Sequence, residues 1–256
     1  MIGTPPLQKF IEHCSRNLVV GVSSAVGRAK DYLTERNISK EDVALHQIGY
    51  CHSGEVIPNE IRFSPDKKKD FSFFIHDKLI VPILSEFGKP VGFATRAPTF
   101  ESGNTWWNTS FKKGNHLFML DKARQAIFNR NKVYVVEGYA DAVVLFSMGL
   151  TNVVCIMGTA LTFRKIGLIA RYSNNICFCL DSDANGSGQK ARGRSIVSLR
   201  KFSFCENISV IELPIGVDPD EYVIKHGVKQ MLSLERVLSD KEIIEVCQKV
   251  AVNAHR

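Results

Sequence analysis

The chain has 256 residues, 45% hydrophobic and 23% charged, which suits a globular protein with a sizeable core and excludes a collagen-like or disordered one. No apolar run approaches the roughly 20 residues of a membrane span, and Met1 to Leu7 lacks the basic-then-apolar pattern of a secretory leader, so a cytoplasmic protein with no membrane partner is expected. The net charge of +7 is uneven: residues 1–136 hold 19 Lys+Arg against 13 Asp+Glu, a surplus of +6, and residues 137–256 hold 14 against 13, a surplus of +1. A basic first half permits a polyanionic partner, because Lys and Arg neutralise phosphates and release counterions.

In chain order, Ser24 to Asn37 reads as an amphipathic helix with Val26, Ala29 and Leu33 on one face. A lysine-rich stretch, Ser64 to Asp70, reads as a solvated loop. Leu79–Leu84 and Pro90–Thr95 read as strands joined by a hairpin, with Gly88 suited to the turn. Trp106 and Trp107 fall in a loop-like segment before the basic Phe111-Lys112-Lys113-Gly114.

The rhythm then changes. The β-branched apolar runs Val133–Val136, Val153–Met157, Ile176–Leu180 and Ile208–Leu213 alternate with helical segments Ala140–Met148, Phe163–Tyr172 and Gln189–Lys201. Near-continuous apolar strands separated by helices predict a parallel sheet covered on both faces. From Tyr222 onward the pattern is helical, most clearly over Lys241–Ala251. Of the seven cysteines, Cys177 and Cys179 alternate within a strand. The number is odd and there is no C-x-x-C pair, so neither a disulfide framework nor a zinc ribbon is expected.

Acidic residues follow three of these strands. Val133–Val136 leads into Glu137-Gly138-Tyr139-Ala140-Asp141, Ile176–Leu180 into Asp181-Ser182-Asp183, and Ile208–Leu213 into Asp218-Pro219-Asp220. The carboxyl edge of an open parallel sheet is where ligands bind. Asp141 or Asp220 taken singly reads as a helix cap, but a cap covers one residue per junction and leaves two Asp-x-Asp pairs unexplained. Gathering six carboxylates is costly unless cations offset the repulsion. Mg²⁺ or Mn²⁺ suits such oxygens and leaves positions for substrate phosphates, and two ions can serve an in-line displacement. Gly186-Ser187-Gly188-Gln189-Lys190 lacks the spacing of a phosphate loop. Lys190, Arg192 and Arg194 either face incoming triphosphates or form a solvated helix face.

Glu137-Gly138-Tyr139-Ala140-Asp141, Gly158-Thr159-Ala160-Leu161-Thr162, Asp181-Ser182-Asp183 and Asp218-Pro219-Asp220 resemble, in order, the four motifs of bacterial and phage DnaG-type primases. Upstream, Ile48-Gly49-Tyr50, the hairpin Lys78–Arg96, and Trp107-Asn108 through Lys113-Gly114 are similar to further family stretches, so the resemblance spans residues 25–230. It implies an α/β Toprim fold, a Rossmann-like parallel sheet with flanking helices. Around it, a mixed α+β N-terminal subdomain (1–130), the Toprim subdomain (131–221) and a short helical C-terminal subdomain (222–256) are expected.

The resemblance implies a nucleotidyltransferase that makes RNA primers from NTPs on single-stranded DNA. Glu137, Asp181 and Asp183 would be catalytic, and the same three with Asp141, Asp218 and Asp220 would hold metal. Arg96 and Lys113, with Lys78, Asn108, Lys112 and Lys190, would contact template or nucleotide. Departures are Thr105 where the family has lysine, Ala94-Thr95-Arg96 for Gly-Gly-Arg, and a longer loop after Asp183. The family's zinc-binding module has no counterpart in the first 24 residues, so no zinc is expected, and a separate zinc-module protein or a replicative helicase is a candidate partner. A Toprim nuclease, or a non-catalytic single-strand-binding component of the replication machinery, is the alternative.

Overall fold

A computed structural model describes residues 6–62, 68–99, 105–158, 161–180, 187–202, 205 and 207–254. Its contacts divide the chain into two units, residues 1–84 with 88–111, and residues 85–87 with 112–256.

The first unit begins with α1 (Pro6–Val20), α2 (Ser24–Glu35) and α3 (Lys40–Leu45). Ser23 starts α2 by accepting a hydrogen bond from Val26 N at 3.3 Å, and Ser39 and Asp42 form a reciprocal capping box on α3. Strand β1 (Gly49–Cys51) and the short helices α4 (Asn59–Arg62) and α5 (Ser72–Ile75) follow, then β2 (Lys78–Leu84), β3 (Pro90–Arg96) and β4 (Trp107–Asn108). The strands form an antiparallel sheet in the order β1-β2-β3-β4. The β2–β3 hairpin turns at Gly88, whose φ of +78° is costly for any residue with a Cβ. The segment expected to be a loop around Trp107 is instead a two-residue strand, with Ala94 opposite Asn108 and Thr95 opposite Trp107. Two residues are too few to show alternation. Phe10, Cys14, Cys51, Ile57, Ile61, Ile75, Ile80 and Phe93 form one buried cluster of this unit.

The second unit holds a 3-10 turn (Lys113–Asn115), α6 (Leu120–Arg130), β5 (Val133–Val136), α7 (Tyr139–Ser147), β6 (Val153–Cys155), α8 (Phe163–Ile169), β7 (Asn175–Phe178), α9 (Ser187–Phe202) and β8 (Asn207–Ile211). It continues through α10 (Pro219–His226), α11 (Val228–Leu232), β9 (Glu235–Val237) and α12 (Asp240–Ala254). The strand order is β6-β5-β7-β8-β9, with the first four parallel. All four residues of β5 are buried, as a strand covered on both faces requires. Val133, Val135, Ile176, Phe178, Ile208 and Val210 share the core with Ala123 and Ile127 of α6, which is why the contact boundary falls at 111/112 rather than near 130.

The C-terminal stretch is helical as expected except at β9, which pairs antiparallel with β8. Glu235 pins that edge: its carboxylate accepts hydrogen bonds from Tyr134 Oη at 3.0 Å and Ser209 Oγ at 2.5 Å, and it pairs with Lys132. No helix among the described residues is long and apolar enough to cross a membrane.

Candidate active site

Because β5, β7 and β8 run parallel, their carboxyl ends leave the sheet at one edge, and the three acidic junctions begin there. Glu137 follows β5 directly and is half-buried. Its backbone is fixed: the Glu137 carbonyl accepts from the Cys155 thiol at 3.0 Å and from Gly158 N at 3.2 Å. Tyr139 turns inward, edge-on to Phe118 with ring centroids 5.1 Å apart, and serves packing.

Asp141 is buried in the first turn of α7, and its two oxygens point to two different junctions. Oδ2 accepts from Gly138 N at 3.1 Å, while Oδ1 accepts from Asp220 N at 3.2 Å. One carboxylate thus ties the start of α7 to the start of α10, and with it the Glu137 junction to the Asp218–Asp220 junction. This arrangement is the capping role weighed for Asp141 from sequence, extended across two helices. Asp220 is itself buried, and its Oδ1 accepts from Glu221 N at 2.9 Å, whereas Asp218 is exposed at the N-cap of α10.

Asp181 and Asp183 lie outside the described residues. The strand that leads to them is β7, next to β5 with Val135 opposite Phe178, and Cys179 N donates to Val135 O at 2.9 Å. The side chain of Lys190 is likewise outside the description. Arg192 pairs with Glu212 at 3.1 Å and Arg194 is exposed, which fits the solvated-face reading for these two.

Positive charge collects at the same edge. Lys113 is half-buried in the 3-10 turn, and burial lowers its pKa; Lys112 beside it is exposed. The turn is held to the start of α8 by Thr162 Oγ1 donating to Gly114 O at 2.5 Å. Lys165, which sequence reasoning passed over, is fully buried in α8 and donates to Ile156 O at 2.7 Å. Burial first, and the nearby Lys113 charge, bring its pKa down to about 8, with Cys155 acting in the opposite sense. Nothing in the sequence marks it, since a lysine early in an amphipathic helix ordinarily faces water.

The remaining candidates belong to the first unit. The pairing of Leu79 with Arg96 puts Lys78 and Arg96 at one end of the β2–β3 hairpin. An aromatic array stands at that end: Trp107 stacks on Phe74 with centroids 5.5 Å apart and planes 10° from parallel, and Phe71 lies 5.3 Å from Trp107. Phe73 meets Phe74 edge-on and is 78% exposed. Cations flank the array, with Lys78 Nζ 6.0 Å from the Phe73 ring and Arg96 Cζ 5.5 Å from the Trp106 ring. Asn108 sits on β4 beside Trp107. Exposed Phe73 and Phe74, backed by half-buried Trp107 and bordered by cations, are the ingredients of a stacking platform for single-stranded nucleic acid.

The chain matches two family models, one described as DNA primase catalytic core, N-terminal domain, over residues 21–124, and one described as Toprim-like, over residues 134–223. It is similar to the DNA primase of Synechococcus elongatus, at 38% identity over 223 residues, covering 78% of this chain and 32% of that protein. Against the DNA primase of Aquifex aeolicus the identity is 28% over 241 residues, covering 87% of this chain and 47% of the relative. The chain thus spans between about a third and a half of the length of these relatives. Among solved structures it is similar to the E. coli primase catalytic core, with TM-score 0.76 and 23% identity, covering 95% of this chain and 83% of that one. For a DnaG primase catalytic domain bound to single-stranded DNA the TM-score is 0.74 and the identity 23%, covering 90% and 78% of the respective chains. At such identities the likeness speaks for the fold.

Proposed function

This chain belongs to the DnaG-type DNA primases, and we propose on that footing that it is a primase catalytic core making short RNA primers from NTPs on single-stranded DNA. The observation that carries the reading is the Asp141 carboxylate joining two acidic junctions at the carboxyl edge of a parallel sheet, within the region matched by the Toprim-like model.

The donor set fits hard divalent cations. The acidic motifs offer carboxylate oxygens, and the Cys155 thiol is engaged with the Glu137 carbonyl. Glu137, Asp181 and Asp183 would hold Mg²⁺ or Mn²⁺ with help from Asp218 and Asp220. Asp141, whose two oxygens hold backbone N–H groups, positions the other residues. When bound, such ions neutralise charge on the transferring phosphate and favour ionisation of the attacking hydroxyl. Glu137 would accept the proton of a primer 3′-hydroxyl. Lys113 supplies positive charge on the same unit for the triphosphate. The template partner is single-stranded DNA, received by Lys78, Arg96, Asn108 and the rings of the first unit.

The test is incorporation of labelled NTPs on single-stranded templates with Mg²⁺ or Mn²⁺, with and without a zinc-module protein or helicase in trans. NTP-dependent oligoribonucleotides support the proposal. Strand cleavage that needs no NTP would point to a nuclease, and metal-independent DNA binding without turnover would point to a non-catalytic role.

A further inference from the structure

A second cluster of ligating side chains lies in the first unit, apart from the acidic motifs. Cys14 of α1, Cys51 at the end of β1 and Glu55 in the turn beyond it bring two Sγ atoms and a carboxylate oxygen within 4.8 Å of one another. The fold makes this meeting through Gly49. A Cβ at that position would stand 2.5 Å from the Cys14 carbonyl carbon and 2.7 Å from its Cβ, so only glycine lets α1 press this closely on β1 and set Cys14 beside Cys51. Both thiols are fully buried.

Glu55 is oriented toward them by its own partners. Asn17, one turn after Cys14 on α1, donates through Nδ2 to Glu55 Oε1 at 2.7 Å and to Tyr50 O at 3.2 Å. The His76 ring nitrogen Nε2 contacts the Glu55 backbone carbonyl at 3.0 Å. Oε2, the other carboxylate oxygen, is buried and makes no hydrogen bond among the described residues, with His13 Nε2 at 3.3 Å on the solvent side. Asn17 thus fixes the carboxylate, one oxygen of which lies within 4.8 Å of both thiols, and such a hydrogen bond is the outer-sphere support that ligands of a metal ordinarily have.

We propose that Cys14, Cys51 and Glu55 form a site for a thiophilic divalent cation of the Zn²⁺ class, which staples α1 to β1. Thiolates select such an ion over Mg²⁺. Tetrahedral zinc with Zn–S of about 2.3 Å and Zn–O of about 2.0–2.2 Å needs S···S of about 3.8 Å, so the cage closes with a contraction of about 1 Å at most. The fourth position is left to water, and half-exposed His13 lies beside the Glu55 carboxylate. Two cysteines 37 residues apart, joined by a glutamate, carry none of the spacing by which zinc sites are read from sequence.

The test is a Co²⁺ titration of the full chain with excess Mg²⁺ present to fill carboxylate sites. The expected result is a thiolate-to-cobalt charge-transfer band that saturates at one equivalent, is lost in Cys14→Ser and Cys51→Ser, is weakened in Glu55→Gln and persists in Cys205→Ser. Zn²⁺ should displace the Co²⁺ and raise the Tm of the wild type but not of Glu55→Gln. Absence of the band in the wild type decides against the site without relying on any variant to fold. No charge-transfer band, a band that survives loss of either cysteine, or a Cys14–Cys51 disulfide in freshly reduced protein would overturn the proposal. None of these outcomes bears on primer synthesis, so the two readings fail separately.

Discussion

The two units present their functional side chains in opposite ways. In the second, chemistry follows the chain: each parallel strand runs to the same edge, and whatever comes next in sequence is delivered there. In the first, the array is assembled from Phe71, Phe73 and Phe74 around α5, Trp106 and Trp107 at β4, and Lys78 and Arg96 at the hairpin end, with Phe73 and Phe74 exposed and Phe71 and Trp107 packed against the core. An antiparallel meander has no edge that gathers successive residues, so its surface becomes visible only once the register is known. Acidic motifs in a parallel sheet are therefore readable from one sequence, whereas an aromatic platform is not.

The largest expected effect breaks the second unit alone. Glu137→Gln keeps the side chain's size and removes its charge, and primer synthesis should fall by about a thousandfold or more, as when a preorganised charge partner of a reacting group is lost. Far-UV circular dichroism and single-strand affinity should be unchanged. Near-wild-type synthesis would show that the acidic edge is not the reaction centre.

The next breaks the first unit alone. Trp107→Ala removes the ring between Phe71 and Phe74 and should weaken single-strand affinity by about 10- to 100-fold, the range of one base–aromatic stack of about 1–3 kcal/mol. Synthesis at saturating template should be nearly intact. A drop in that saturated rate with unchanged affinity would place the platform elsewhere.

What was legible divides along the same line. The parallel strands, the hairpin turn at Gly88 and the helix from Ser24 were all readable, because each rests on periodicity or on a φ that favours glycine. The acidic motifs were readable as candidates, and the capping role of Asp141 was among the readings weighed for it. Its second hydrogen bond, to Asp220 N, joins residues 79 apart in the chain, and no local pattern encodes it. The edge strand β9 stayed hidden because Glu235-Arg236-Val237 is short and polar, held by one inward carboxylate rather than by apolar alternation. Glu235→Ala should cost about 2–3 kcal/mol in denaturant unfolding, since it strands the partly buried Lys132 and Ser209. A cost under half of that would make the pairing with β8, rather than the carboxylate, the main tie.

Lys165 sharpens the comparison from the least visible side, because its burial puts a charge where sequence anticipates a solvent-facing residue. Burial lowers its pKa to about 8 from the ordinary 10.5, so between those values the unfolded chain binds the proton that the folded chain has released. Stability contributed by this group therefore rises with pH across that window. Between pH 7 and pH 9 the gain is about 1 kcal/mol by the linkage relation. Lys165→Met keeps the length and apolar stem without a titrating group. Subtracting its pH profile from that of the wild type cancels the ionisations that do not sense Lys165 and should leave a curve that climbs from pH 7 to 9. A flat difference would mean that the ammonium reaches water by another rotamer.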